Sequence, residues 1–228
     1  MDRSSVYRNC SFLLAGLILL VYSGCKKEEF PTGTVRDING NKYKTVTIGT
    51  QEWMAGNLRT TKYNDGSPVP QSIGDPEWDA LSTGAYCIFA NTQIMTTTHG
   101  FLYNWFAAVS TKLCPEGWHV PTMDDWSTLL DFLGGEEVAA AKLKETGSSN
   151  WIETKPETTN ETGFTALPGG IRLTGGKYLD LGYKGHWWST AEYGSLGGRE
   201  VQMAGNSNAV EINTSSKRAG LSVRCVRD

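Results

Sequence analysis

The sequence predicts an α+β domain that combines a curled antiparallel sheet with one main helix and one or two short helices. Three observations support this prediction. Residues 122–135 carry the strongest helix pattern in the chain, and Asn39 and Gly40 form the turn signal of a β-hairpin. From Phe164 onwards, short alternating segments are separated by Gly, Asn and Ser, which favours a meander or a curled sheet.

The composition is that of a globular protein. Of 228 residues, 39% are hydrophobic and 20% are charged, with Gly at 26 positions and Trp at 8. The formal charge of -3, without clustered Lys and Arg, argues against a nucleic-acid partner, because phosphates require such clusters. We predict three parts, which are a leader over 1–24, a tether over 25–33 and one domain over 34–228.

The leader has the pattern of a bacterial signal peptide. Arg3 and Arg8 precede an apolar run over 12–22, which is too short to cross a membrane as a stable anchor. A Ser-Gly pair before Cys25 resembles a lipobox, in which Cys25 would be lipidated and become the new N-terminus. The alternative is an ordinary signal peptide with a stray cysteine.

The charged run over 26–29, Lys-Lys-Glu-Glu, suits a solvated tether. It also resembles the export signal that sends lipoproteins of the Bacteroidetes to the outer face of the outer membrane. We therefore expect a lipid-anchored outer-membrane protein, with display at the cell surface favoured over the periplasmic face. The membrane is then a partner through the lipid.

In the first half of the chain, two alternating segments over 34–48 predict a hairpin, and residues 52–58 predict a third strand. The Pro-containing stretch over 60–82 predicts a surface excursion with little regular structure. Residues 85–91 predict a buried strand, and residues 100–109 predict a buried helix because they are apolar on several sides.

The main helix is predicted to begin after Thr122, a good N-cap, with Asp125 as its capping-box partner. Two glycines at 134 and 135 end it. A second, short helix is predicted over 138–144. Apolar side chains of the main helix share one face, namely Trp126, Leu129, Leu130 and Leu133.

With Cys25 lipidated, three cysteines remain beyond the leader, and Cys87, Cys114 and Cys225 allow three single disulfides. Cys225 shares a strand face with Leu221 and Val223 by the two-residue period, so it should point into the core. This favours the pair Cys114 and Cys225. Cys87 is then expected to be a buried, inert thiol.

Seven motifs in fixed order resemble the Fibrobacter succinogenes major paralogous domain (FISUMP), a family common in exported lipoproteins of Bacteroidetes and Fibrobacteres. The resemblance covers 34–228 and rests on DINGNKYKTVTIGTQEWMAGNLRTTKYNDG, GFLYNWFAAV, LCPEGWHVPTMDDW, AKLKETGSSNW, GFTALPGG, GHWWST and LSVRCVRD. It implies a C-type lectin-like organisation, in which a helix packs on a curled antiparallel sheet. In such domains a disulfide ties the helix to the last strand, which agrees with Cys114 and Cys225.

Catalytic patterns are weak in this sequence. None of His99, His119 and His186 stands in a metal-ligand spacing, and no nucleophile-elbow motif occurs. Formylglycine-generating enzymes share the fold that the resemblance implies, but they use a pair of close cysteines, and Cys114 and Cys225 are assigned to structure here. We expect no enzyme activity, no catalytic residue, no metal and no cofactor.

The candidate ligand-binding residues lie in one predicted strand region. Trp187 and Trp188 could stack on a sugar ring beside Tyr183, His186 and Tyr193. The alternative is that the two tryptophans belong to the core, and at least one should, because adjacent strand residues face opposite ways.

The leading hypothesis is a non-enzymatic, surface-anchored recognition domain for glycan or protein ligands. The sequence lacks the EPN, QPD and WND motifs of calcium-dependent sugar binding. A second hypothesis is a structural or assembly component of the cell envelope. An enzyme on a formylglycine-generating-enzyme-like fold ranks last.

Overall fold

The computed structural model describes residues 32–72 and 74–228. The predicted signal peptide, the lipidation site Cys25 and the tether up to residue 31 lie outside the described residues. Among the residues described, no helix has the length and apolar character needed to span a membrane.

The described part has a mixed α+β fold with a curled sheet arrangement and short helices. Its helices are α1 (Asp75–Ala80), α2 (Thr96–His99), α3 (Trp105–Ala108), α4 (Met123–Phe132) and α5 (Glu136–Leu143). Its strands are β1 (Thr32–Arg36), β2 (Lys42–Ile48), β3 (Gln51–Met54), β4 (Tyr86–Cys87), β5 (Leu102–Tyr103), β6 (Trp118–His119), β7 (Gly169–Arg172), β8 (Tyr178–Leu181), β9 (Lys184–Tyr193), β10 (Gly197–Ala204), β11 (Val210–Ser216) and β12 (Val226–Arg227).

The strands form two five-stranded sheets and one short pair, β4 with β5. The first sheet has the order β1-β2-β3-β12-β6 and is antiparallel throughout. The predicted hairpin is confirmed: Arg36 pairs with Lys42, and Gly40 takes a positive φ of 82° in the turn. The second sheet has the order β11-β10-β9-β7-β8, in which only the β7-β9 contact is parallel.

Two hydrophobic clusters make up most of the core. One packs α4 on the first sheet through Trp53, Trp126 and Phe164, and it also contains Trp187. The other surrounds the disulfide and contains Trp188. Strand β9 therefore has a core cluster on each of its faces at this point.

The disulfide between Cys114 and Cys225 is confirmed, with a Cα–Cα distance of 6.0 Å and a sequence separation of 111. It joins the segment ahead of α4 to the residues just before β12. Leu221 and Val223 are fully buried in the same cluster as Cys225, as the two-residue period predicts. Cys87 is a free, buried thiol.

The main helix begins and ends where the sequence indicates. The Thr122 hydroxyl accepts a 3.1 Å hydrogen bond from the Asp125 backbone N–H, and the Asp125 carboxylate accepts one of 2.8 Å from the Thr122 N–H. Both bonds of the capping box are thus present. Helix α5 begins two residues earlier than predicted, at Glu136.

Three predicted elements are wrong in detail. Residues 100–109 are not one helix. The Asn104 side chain accepts a hydrogen bond from the Ala107 N–H and so caps the start of α3, and the residues before Asn104 form strand β5. The region 60–82 contains α1, whose Trp78 is fully buried, rather than a purely superficial excursion. The strand predicted over 85–91 is only the two residues of β4.

Candidate functional site

The two tryptophans of the predicted binding set are both fully buried. The Trp187 indole donates a 2.9 Å hydrogen bond to Asn57 Oδ1, and the Trp188 indole donates one of 2.7 Å to the Tyr103 carbonyl. Adjacent residues face opposite sides of β9, but both sides are covered by core clusters. The alternative that the tryptophans belong to the core is therefore confirmed for both, and their place among the candidate ligand-binding residues is corrected.

His186 is also buried, at 3% exposure, so it does not face a ligand either. Its Nε2 lies 3.0 Å from Asp180 Oδ2, and its Nδ1 lies 3.6 Å from Glu200 Oε1. Burial by itself lowers the pKa of His186, but the two carboxylates outweigh burial and raise it above the usual value. The imidazole is held by structural partners.

Tyr183 and Tyr193 are exposed, at 50% and 54%, but they are far apart. Tyr183 directly precedes β9, and Tyr193 is the last residue of this ten-residue strand. A strand rises about 3.3 Å per residue, so their Cα atoms lie roughly 30 Å apart, and the two side chains line different hollows. The predicted set of Tyr183, His186, Trp187, Trp188 and Tyr193 is therefore not one site.

The surface around the β9–β10 turn carries an exposed apolar side chain between two hollows, and the sequence analysis did not predict this arrangement. Leu196, in this turn, is 77% exposed, compared with 59% for Ile152 and 56% for Phe132. A shallow hollow of about 500 Å³ lies on one side, lined by Tyr193, Gly197, Thr214 and Ser215. A second hollow of about 160 Å³ is lined by Phe106, Lys217 and Arg218. Both hollows share Ser195, Leu196 and Ser216.

We call this region the Leu196 surface, defined by the lining residues of the two hollows together with Arg199. The Arg199 guanidinium lies 4.3 Å from the centroid of the Tyr193 ring and donates a 3.5 Å hydrogen bond to Thr214 Oγ1. The exposed Arg218 donates a 3.1 Å hydrogen bond from Nε to the Leu81 carbonyl. The Leu196 surface thus combines apolar, hydroxyl and cationic groups.

The Leu196 surface carries positive charge on two arginine side chains. Neither Arg199 nor Arg218 forms an ion pair with any residue that the structure describes. Lys217, by contrast, is paired with Glu192, and its Nζ lies 4.5 Å from the Trp105 ring. The two guanidinium groups are therefore the uncompensated charges of this surface.

A close packing of β10 on α3 brings these residues together. A Cβ atom at Gly198 would lie 2.3 Å from Trp105 Cδ1, so a side chain there would push the strand away. The Trp105 backbone N–H donates a 3.0 Å hydrogen bond to the Lys217 carbonyl, which ties α3 to the segment after β11. Phe106 is thereby placed beside the β9–β10 turn.

Tyr193 is the one member of the Leu196 surface that the sequence analysis proposed for a site, and the residues that it missed include Phe106, Leu196, Arg199 and Arg218. They come from three separate parts of the chain, and a pattern within one segment does not show such proximity. One signal was available: Leu196 stands among small turn residues in GSLGG, where an apolar side chain has no nearby core to enter.

Other reactive groups of the described part are enclosed by the fold. Burial raises the pKa of the Cys87 thiol, although the neighbouring Arg172 and Tyr178 side chains oppose this effect. Over 32–72 and 74–228, no group of three or more His, Cys, Asp or Glu side chains is placed to hold a metal ion.

The fold defines a disulfide-linked α+β domain with an exposed hairpin tip. Residues 46–227 match the family described as the Fibrobacter succinogenes major domain. The chain belongs to this family. Comparison with curated proteins and with solved structures found no match.

Proposed function

We propose that this chain is a surface-anchored lipoprotein of the Bacteroidetes type, whose domain recognises glycan or protein ligands without catalysing a reaction. In this proposal the fold is C-type lectin-like, lipid on Cys25 holds the protein in the outer membrane, and the Leu196 surface contacts the ligand. The Leu196 surface takes the place of the binding set around Trp187 and Trp188.

The observation that carries the proposal is the exposed Leu196 side chain between two hollows. Large apolar side chains on a surface favour contact with another molecule when polar groups surround them. Tyr193 and Phe106 supply aromatic surface to the two hollows, and serine and threonine hydroxyls supply hydrogen-bonding groups. This is the chemistry of a shallow recognition site.

Two further features support an anchored, non-enzymatic role. Strand β1 begins at Thr32, seven residues after Cys25, and a chain of that length spans at most about 25 Å. A lipid on Cys25 would therefore hold the domain close to the membrane. Inside the domain, His186 is held by Asp180 and Glu200, and Cys87 is a buried thiol, so both are shielded from solvent, which suits a binding role better than catalysis.

Cells that produce the full chain provide the test. External protease should remove the domain from intact cells, and labelled probes from glycan and extracellular-matrix panels should bind the cells. Leu196→Asp should abolish this binding, because a carboxylate is placed at the centre of the surface. Ile152→Asp is the matched control, since Ile152 is 59% exposed and lies outside both hollows. Equal binding by both variants would refute the proposed site.

A role as a structural or assembly component of the envelope is the second candidate, and the edge of the second sheet favours it. Strand β11 pairs only with β10 in the described part, so its other edge has no strand partner there and could pair with a strand of another protein. Cross-linking from β11 on cells should then give one dominant envelope protein, and the ligand panels should give no signal.

A further inference from the structure

We propose that the ligand of the Leu196 surface is an acidic oligosaccharide that occupies both hollows, one sugar unit in each. This inference rests on the proposed function and deepens it by naming the ligand class. It follows from the way in which aromatic rings and unpaired guanidinium groups are distributed around Leu196.

Each hollow has one aromatic ring in its lining and one arginine in or beside it; Arg199 is not in the lining of the larger hollow but contacts two of its lining residues, Tyr193 and Thr214. Tyr193 lines the larger hollow, and Arg199 covers one side of its ring at 4.3 Å while the tyrosine stays 54% exposed. Phe106 and Arg218 line the smaller hollow. The repeated pair of ring and guanidinium, with Leu196 between the two, indicates two adjoining subsites for similar units.

The charges select an anionic unit. Arg199 and Arg218 have no carboxylate partner among the described residues, whereas the nearby Lys217 is neutralised by Glu192. A guanidinium presents a planar set of N–H donors that matches a carboxylate or a sulfate. An acidic group on each unit would give these two arginines the partners that the protein does not supply.

A saccharide fits the remaining groups better than an acidic peptide does. Sugar rings have apolar faces that pack on aromatic rings, and their hydroxyls pair with hydroxyl groups. Ser195, Thr214 and Ser216 line the larger hollow and carry hydroxyl groups, and the hollow is open rather than a deep slot for a side chain. The hydroxyl groups of this open hollow can pair with the several hydroxyl groups of a sugar ring bound there.

The test measures binding to the purified full chain in detergent by titration calorimetry. The probes are a galacturonate oligomer and a heparin-derived oligosaccharide. Each is compared with a neutral counterpart, which is the methyl ester of the galacturonate oligomer and the desulfated, N-acetylated and carboxyl-reduced form of the heparin oligosaccharide. At least one acidic probe should bind more tightly than its neutral counterpart. Arg199→Gln and Arg218→Gln should each weaken that binding about 3- to 10-fold, and added salt should weaken it too.

Arg36→Gln is the matched control, because Arg36 is an exposed arginine that also donates one hydrogen bond to a backbone carbonyl, that of Gly40. This variant should bind like the wild type. Equal affinity for acidic and neutral probes would overturn the charge inference and leave the recognition site standing. Competition by polyglutamate as strong as by the acidic sugar would overturn the saccharide inference. If no glycan or protein probe binds, the proposed function fails as well.

Discussion

Arg224 Nη2 donates a 2.8 Å hydrogen bond to Asn57 Oδ1 in the interior of the domain, where both residues are buried. The same amide oxygen accepts a 2.9 Å bond from the Trp187 indole, and Asn57 Nδ2 donates to the His99 carbonyl and to Ser222. Arg224 has no ion pair in the described part of the chain, and burial lowers its pKa to about 9. One asparagine thus connects several distant segments.

Replacing Asn57 with leucine should destabilise the fold strongly. The substitution keeps the approximate volume but leaves the Arg224 guanidinium and the Trp187 indole short of a buried acceptor, at a cost of about 3–5 kcal/mol. Chemical denaturation followed by tryptophan fluorescence measures the change. The exposed Asn206→Ala should shift the free energy of unfolding by about 0.5 kcal/mol or less. Similar curves for the two variants would contradict the assigned role.

The disulfide should supply a large part of the stability. Cys114 and Cys225 close a loop of 111 residues, which corresponds to about 4–5 kcal/mol in the chain-entropy model. The Cys114→Ser, Cys225→Ser double variant should therefore lose that amount in a denaturation experiment, and reductant should destabilise the wild type but not this double variant. Cys87→Ala, which removes the free thiol, should keep the response to reductant. A wild-type midpoint that reductant does not shift would count against the bond.

The buried His186 makes part of the stability depend on pH. Burial lowers its pKa, but Asp180 and Glu200 outweigh this and raise it, so the folded protein holds the proton more tightly than the unfolded chain does. An unfolded histidine titrates near about pH 6.5. The stabilising contribution is therefore fully present below about pH 6.5 and is lost as the pH rises through the raised folded pKa.

The free energy of unfolding of wild type minus that of His186→Gln isolates this contribution. The difference should shrink as the pH is raised from about 6 to about 9. His119, whose pKa is raised by Asp125 and Asp228 against the effect of burial, is present in both proteins and cancels in the difference. A difference that stays constant or grows with pH would show that the two carboxylates do not act on His186 as described.

Local patterns were sufficient to predict the regular elements that depend on near neighbours. The turn at Gly40, the Thr122 capping box and the common core cluster of Leu221, Val223 and Cys225 were all predicted from residues close together in the sequence. The motif order was sufficient to predict the family over most of the chain.

What sequence reasoning missed depends on contacts between distant segments. The alternation rule places Trp187 and Trp188 on opposite faces, but it does not reveal that each face meets its own core cluster. Likewise, Tyr193 was identified as a candidate, while its neighbour Arg199 and the residues Phe106 and Arg218 were not. Their proximity arises from the packing of β10 and the segment after β11 on α3.

The central claim, that the Leu196 surface is the ligand-binding surface, is tested most directly by comparing two exposed tyrosines at opposite ends of β9. Wild type and both variants of the full chain are titrated with the galacturonate oligomer, the heparin-derived oligosaccharide and their neutral counterparts. Tyr193→Ala should weaken binding of the acidic oligosaccharide about 3- to 10-fold. Tyr183→Ala should leave the affinity unchanged. Wild-type affinity in Tyr193→Ala, or a loss confined to Tyr183→Ala, would contradict the account.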